Sequence, residues 1–194
     1  RQTSPPSLVR EEIAPLPSPA VYRQRLHLAS GLGDPDGCAL SLEALTFGRR
    51  LATSLSVPLG AVVIGTDAMA GQMQAFGVAA IHTAWDDRLS EFAPAGWAQG
   101  IVDVMGATSP HAIVAAGSDR GNEVMAHVAA KSALPLAANC IEVEPGDTYM
   151  VTRLRWGGSL LEEARLSGSV KLLTVAPHAL APEESPGGDP VIQS

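Results

Sequence analysis

Aromatic side chains are scarce, at 4% of 194 residues, and only two cysteines are present. With so few rings, the interior must be filled by Ala, Val and Leu, which suits helices packed closely on a sheet. Cys38 and Cys140 lie far apart and form no Cys-x-x-Cys, so neither a disulfide framework nor a dithiol redox motif is indicated. They read as a reduced, cytosolic pair of bystanders. Basic charge is also short: Lys and Arg total 13 against 20 Asp and Glu, a net charge of −7. A nucleic-acid binder shows a basic face, and no such cluster exists here, which excludes nucleic acid as the expected partner. No apolar run reaches the roughly 18 residues of a membrane-spanning helix. Lys131 breaks the longest candidate, residues 124–141, and the N-terminus has no apolar signal core. Membrane insertion is therefore not expected.

Motifs of catalysis are missing as well. There is no Gly-x-Ser-x-Gly elbow and no Gly-Lys-Ser/Thr phosphate loop. The five histidines, His27, His82, His111, His127 and His178, include no i,i+4 pair on an expected helix and no accompanying carboxylate set, so no metal site is expected. His127 is at most a titrating group on a helix surface. No catalytic residue can be named.

What is present is an alternation of short apolar runs with helical periodicity. Residues 1–22 hold five prolines and read as a flexible arm; residues 177–194 hold four more with Gly187-Gly188 and read as a linker-like tail. Residues 23–176 between them have the size of one ordinary domain. Residues 25–29 alternate as a first strand, and 31–37 form a turn cluster. Ser41 is expected to cap a helix with Glu43 in its first turn, and Pro58 to end it. Residues 60–65 and 78–81 read as buried parallel strands, separated by a helix with Met69, Met73 and Phe76 on one face. Pro94 opens a helix with Trp97, Ile101, Val104 and Met105 inside. Residues 112–116 are another buried strand, and Ser118 or Asp119 caps the helix through Val124 and Val128. Residues 134–137 resume strand character. Glu144-Pro145-Gly146-Asp147 is a tight turn joining 140–143 to 149–156 as an antiparallel pair. Residues 170–175 form the last strand. Strands alternating with helices predict a largely parallel twisted sheet with helices on both faces, closed by a late antiparallel hairpin.

In such sheets ligands sit beyond the carboxyl ends of strands, where helix N-termini point. Two loops qualify, Gly65-Thr66-Asp67 and residues 117–122. In the second, Ser118, Asp119, Arg120, Gly121 and Asn122 combine free helix amides, a cation and glycines that allow close approach of a phosphate or carboxylate; equally, Ser118 and Asp119 could cap a helix and Arg120 be solvated. Gly31-Leu32-Gly33 fails as a dinucleotide fingerprint, because the third glycine position is Asp36 and no helix is expected there. Arg153, Arg155, Trp156, Gly157 and Gly158 form a different set. Arg and Trp are enriched where protein surfaces meet, while an edge strand with snorkelling arginines is the plainer alternative.

Four segments in order carry a family resemblance. Leu42-Glu43-Ala44-Leu45, Ala129-Ala130 with Leu134, Arg153-x-x-Trp156-Gly157-Gly158-Ser159 and Val170-Lys171-Leu172-Leu173-Thr174-Val175 resemble the N-terminal domain of electron-transfer flavoprotein α subunits. Ala126-His127 stands where that family has Pro-Arg, and Ala138-Asn139-Cys140 where it has Ser-Asp-Val, as in a divergent member. The resemblance implies a three-layer α/β fold of the adenine-nucleotide α-hydrolase-like type. It further implies a cytoplasmic heterodimer with a β subunit, in which FAD lies on a second α-subunit domain absent from these residues. No cofactor would belong to this domain, and AMP would sit in the β partner. The complex would carry electrons from flavin dehydrogenases to an acceptor, with this domain as scaffold and not as enzyme. The alternatives are a stand-alone adenine-nucleotide-binding module or a purely structural interaction domain, since fold kinship alone does not assign function.

Overall fold

Strand and helix alternate along the chain in the computed structural model, which describes residues 25–29, 35–64, 70–84, 89, 91–185 and 190–193. The elements in order are β1 (Arg25–Ala29), α1 (Pro35–Ser54), β2 (Leu59–Ile64), α2 (Ala70–Ala75), β3 (Val78–Ala84), α3 (Pro94–Thr108), β4 (Ala112–Ala116), α4 (Asp119–Ser132), β5 (Leu136–Glu144), β6 (Tyr149–Arg155), β7 (Leu160–Leu166), β8 (Lys171–Val175) and β9 (Val191–Gln193). The strands form one sheet in the order β7-β6-β5-β8-β4-β1-β2-β3-β9. All neighbours from β5 to β9 run parallel, whereas β5–β6 and β6–β7 are antiparallel.

The parallel part of the sheet is covered on both faces, as its continuous apolar strands require. Successive side chains point to opposite faces. Accordingly Val62, Ile64, Ile113, Ala115 and Leu172 pack with Trp97 and Ile101 of α3 and Val124, Met125 and Val128 of α4. Their neighbours Ala112, Val114, Ala116, Leu173 and Val175 pack with Phe47 and Leu51 of α1. Ala61 and Val63 meet Leu45, Ala52 and Met73 on that same face. This is a three-layer α/β fold. Each fully buried Leu, Ile or Met contributes about 1.5–3 kcal/mol through removal of apolar surface from water.

Three departures from expectation matter for the site. Helix α1 does not begin at Ser41. It begins at Pro35, so Ser41 is an interior, buried residue and Glu43 is not in the first turn. Pro35, Asp36 and Gly37 read as a turn in sequence. Proline is nevertheless at home in a first helical turn, where its missing N–H has no partner to lose. For the same reason a helix does start near Gly31-Leu32-Gly33, contrary to expectation; those residues themselves, residues 1–22, Met69 and the loop 65–67 lie outside the described residues. Second, β7 pairs with β6 along its whole length and was not anticipated, because Leu160-Leu161-Glu162-Glu163 hides the period of two. Third, the tail is tied down over much of its length. His178 N donates to Glu43 Oε2 at 2.8 Å and Glu183 N to Thr46 Oγ1 at 2.9 Å. Arg49 Nη1 donates to the Glu183 carbonyl at 2.7 Å, and Ser185 N to the Ala75 carbonyl at 2.7 Å. The buried Glu43 and Thr46 are thus explained by the strap they hold, which crosses α1 and ends as β9 beside β3. Among the described residues no helix is long and apolar enough to cross a membrane.

Candidate functional site

The carboxyl ends of β4 and β8 open onto a cleft of about 520 Å³. Its walls are the start of α4 on one side and the β6–β7 turn on the other. Gly117, Asp119, Asn122, Asn139, Leu154, Arg155, Trp156, Gly157, Gly158 and Pro177 line it. Two segments singled out separately in the sequence, 117–122 and 153–158, therefore meet in space.

What brings them together is a bend in β5. Its first half pairs with β8 in parallel, through Leu136, Ala137 and Cys140; from Cys140 on it pairs with β6 in antiparallel fashion. Both registers shift at this point, and Asn139 there has φ of 59° in the left-handed region. Asparagine is among the few residues besides glycine that enter that region readily. The bend carries the β6–β7 hairpin back over the end of the parallel sheet.

The floor of the cleft is a closed hydrogen-bond chain. Gly117 N donates to the Val175 carbonyl at 2.8 Å. Asn122 Nδ2 donates to the Gly117 carbonyl at 3.0 Å, Thr174 Oγ1 donates to Asn122 Oδ1 at 2.8 Å, and Asn139 N donates to Thr174 Oγ1 at 2.9 Å. Thr174 is fully buried, so its hydroxyl is satisfied as donor and acceptor. Ser118 is the N-cap of α4, its Oγ accepting from Gly121 N at 3.1 Å. The two glycines serve the protein's own backbone. A Cβ on Gly121 would stand 2.0 Å from the Ala116 carbonyl oxygen, and one on Gly117 would stand 2.4 Å from that of Val175. Asp119 lies at the first helical position and lines the cleft. Arg120 points elsewhere, its guanidinium 5.0 Å from the centre of the Phe92 ring, which meets Trp97 edge to face.

On the hairpin side, Arg153 and Arg155 share a strand face and both reach Glu162 on β7. Arg153 Nε donates to Glu162 Oε2 at 2.5 Å, while Arg155 Nε is 3.6 Å from the same oxygen. The hydrogen bond from Arg153 holds the Glu162 carboxyl below its ordinary pKa. Arg153 is mostly covered and does not line the cleft; Arg155 does, with its side chain 48% exposed. Cys140, register partner of Arg153, is buried, and burial pushes its thiol up to about 12 despite that positive neighbour. Such a thiol is protonated and inert at neutral pH. Trp156 stands at the turn, 83% exposed, with φ of 53°, followed by Gly157 and Gly158 at 62° and 87°. Leu160 and Leu161 of the adjoining edge strand are 50% and 62% exposed, and Met150 of β6 is also exposed.

Asn139, Leu154, Thr174 and Pro177 were not singled out in sequence. An asparagine inside an apolar strand was a usable sign for the first. His127 lies half-buried on α4, away from the cleft, and among the described residues no group of three or more His, Cys, Asp or Glu is placed to hold a metal ion.

Comparison with known proteins agrees with the architecture. The model of the electron transfer flavoprotein domain matches residues 39–193. The chain is 29% identical over 129 residues to a protein named FixB from Azorhizobium caulinodans, covering 63% of this chain and 35% of that protein. It is 30% identical over 128 residues to an electron transfer flavoprotein subunit alpha from Clostridium acetobutylicum, covering 63% of this chain and 38% of that protein. The chain therefore spans little more than a third of either relative. With most of its residues matched by the family model and the expected three-layer fold in place, the chain belongs to the electron transfer flavoprotein domain family.

Proposed function

We propose that this chain is the N-terminal scaffold domain of an electron-transfer flavoprotein α subunit. It docks against a β subunit, and FAD is carried on a separate domain of the α subunit. The assembled cytoplasmic protein passes electrons from flavin dehydrogenases to an acceptor, with AMP in the β partner. The α assignment is supported by the name of the Clostridium relative. The observation that carries the docking role is the exposure of Trp156, Leu160 and Leu161 at the turn and outer edge strand of the antiparallel arm. Exposed apolar patches at an unpaired sheet edge are costly in an isolated protein and mark association surfaces.

The cleft itself does not fit a dinucleotide. A pyrophosphate at the start of α4 would meet the Asp119 carboxylate, and the amides of Gly121 and Asn122 are already bound to Ser118. No redox step is assigned to this domain.

The test is co-purification of the chain with a β subunit. Leu160→Arg with Leu161→Arg should weaken association at least about tenfold, since both side chains are mostly exposed and their loss little affects folding. Undiminished association would remove the arm from the interface.

A further inference from the structure

The strap over α1 is held mainly by its backbone. Residues 177–185 are exposed except Leu180, which is half-buried. A segment that buries so little apolar surface gains little from the hydrophobic effect. Three of its main-chain N–H groups are taken instead: His178 N by Glu43, Glu183 N by Thr46 and Ser185 N by the Ala75 carbonyl. The His178 ring stays 83% exposed, its Nδ1 3.5 Å from Glu43 Oε1.

Glu183 differs from the rest of the strap, because α1 contacts it at its N–H, its carbonyl and its carboxylate. Thr46 Oγ1 accepts from its N–H at 2.9 Å. The Arg49 guanidinium forks across the residue, Nη1 donating to the carbonyl at 2.7 Å and Nη2 to Oε2 at 3.2 Å. Arg50 Nη2 donates to that same Oε2 at 3.1 Å. Arg49 and Arg50 lie three and four residues beyond Thr46, so all three project from one helix face. Thr46 is fully buried, and its hydroxyl donates to the Leu42 carbonyl at 3.0 Å, which leaves its oxygen to accept from the strap. Gly77 forms the far wall. A Cβ there would stand 3.0 Å from the Ser185 carbonyl oxygen and 3.6 Å from Arg49 Cδ, so the wall admits a chain only because it has no side chain.

We propose that the seat formed by Thr46, Arg49, Arg50 and Gly77 is a recognition site for an extended acidic segment of a partner protein. In the closed chain its own Glu183 fills the seat, and the strap is a latch that the partner displaces. The backbone contacts accept any extended chain, and the two guanidinium groups select a carboxylate at one position. Exposed ion pairs are individually weak, but the covalent tether gives the strap a high effective concentration and keeps it closed. Opening uncovers the polar side chains Glu43 and Thr46 and leaves the apolar core in place. This goes beyond the docking role of the antiparallel arm and uses none of its residues.

The experiment is calorimetry of the purified chain with the peptide acetyl-Ala-Pro-Glu-Ala-Ser-amide and its Gln counterpart. Glu183→Arg sets a third cation beside Arg49 and Arg50 and opens the latch. The side chain at 183 is 57% exposed, so the melting temperature should not change. This variant should bind the Glu peptide saturably at one site, at least about tenfold tighter than the unaltered chain, whose seat is filled. The Gln peptide should bind at least about tenfold more weakly than the Glu peptide. Adding Arg49→Gln should abolish binding, and Arg49→Lys, which lacks the fork, should restore only part of it. In the unaltered chain, excess Glu peptide should speed hydrogen exchange at the Glu183 and Ser185 N–H groups and leave those of β4 unchanged. The proposal is overturned by no saturable binding to the Glu183→Arg chain, by equal affinity of that chain and the unaltered one, or by equal binding of the two peptides. A clear drop in melting temperature with Glu183→Arg would make the strap part of the folding core and would overturn it too. Failure here would leave the co-purification result untouched, because that assay reads Leu160 and Leu161.

Discussion

The two ends of this sheet obey different rules. Strands β4 and β8 are buried at every position, sandwiched between α1 and α4. Strand β7 is buried only at Leu166 and exposes Leu160 and Leu161. The parallel half satisfies itself: its apolar side chains meet helices on both faces, and its backbone groups meet neighbouring strands. The antiparallel arm ends in an edge strand that pairs with β6 alone, and it leaves Leu160 and Leu161 in water. The first region is closed on itself, and the second is the surface proposed above to meet a partner.

Two tryptophans test that contrast most strongly. Trp97, 1% exposed, lies on the α3–α4 side of the core, although its indole N–H has no hydrogen-bond partner among the described residues. Trp97→Ala should cost about 3–5 kcal/mol, as large-to-small core changes do. Trp97→Phe should cost far less, since it removes an unsatisfied donor along with the extra ring. Trp156→Ala should change stability by no more than about 0.5 kcal/mol. Chemical denaturation of the three variants reads all of this directly. A large loss at Trp156 would mean that the arm belongs to the folding core.

Two glycines sharpen it next. Gly121→Ala drives a methyl group into the Ala116 carbonyl oxygen and should cost about 3 kcal/mol through displacement of α4 from the sheet. Gly157→Ala meets open space and should cost only about 1 kcal/mol, because its φ of 62° is unfavourable to any side chain. Equal melting temperatures for the two would contradict the close packing of α4 on β4.

A histidine supplies the smallest effect. His82 of β3 is buried, and that burial lowers its pKa in the folded chain. The unfolded chain therefore takes up more protons once the pH drops below about 6.5. Stability is full above that value and declines as pH falls toward the lowered folded-state pKa, with a slope of at most about 1.4 kcal/mol per pH unit. His82→Gln should flatten denaturation midpoints between pH 6.5 and 5; an unchanged slope would assign the acid sensitivity to other groups.

How much of this was readable in the chain varies by region. Strand β4 was legible to the residue and the cap of α4 to one of two residues, Ser118 or Asp119, of which Ser118 is the cap, because a continuous apolar run and a capping side chain are local signals. The start of α1 was misread because Pro35, Asp36 and Gly37 suit a turn as well as a first helical turn. Strand β7 was hidden because an edge strand need not alternate in hydrophobicity when neither face is deeply covered. The tail read as a linker from its prolines and glycines. Yet the buried Glu43 and Thr46, 135 and 137 residues away from their partners, hold it against α1.

Sequence alone settled the class of fold and the elements of the core, because the period of an apolar pattern is set by backbone geometry within a few residues. The tertiary structure decided that segments 117–122 and 153–158 share one cleft, and that Arg153 is held by Glu162 while Trp156 is left free. That outcome depends on the bend of β5 at Asn139 and on the pairing of β6 with β7. Both are contacts between distant segments, and no local period encodes them.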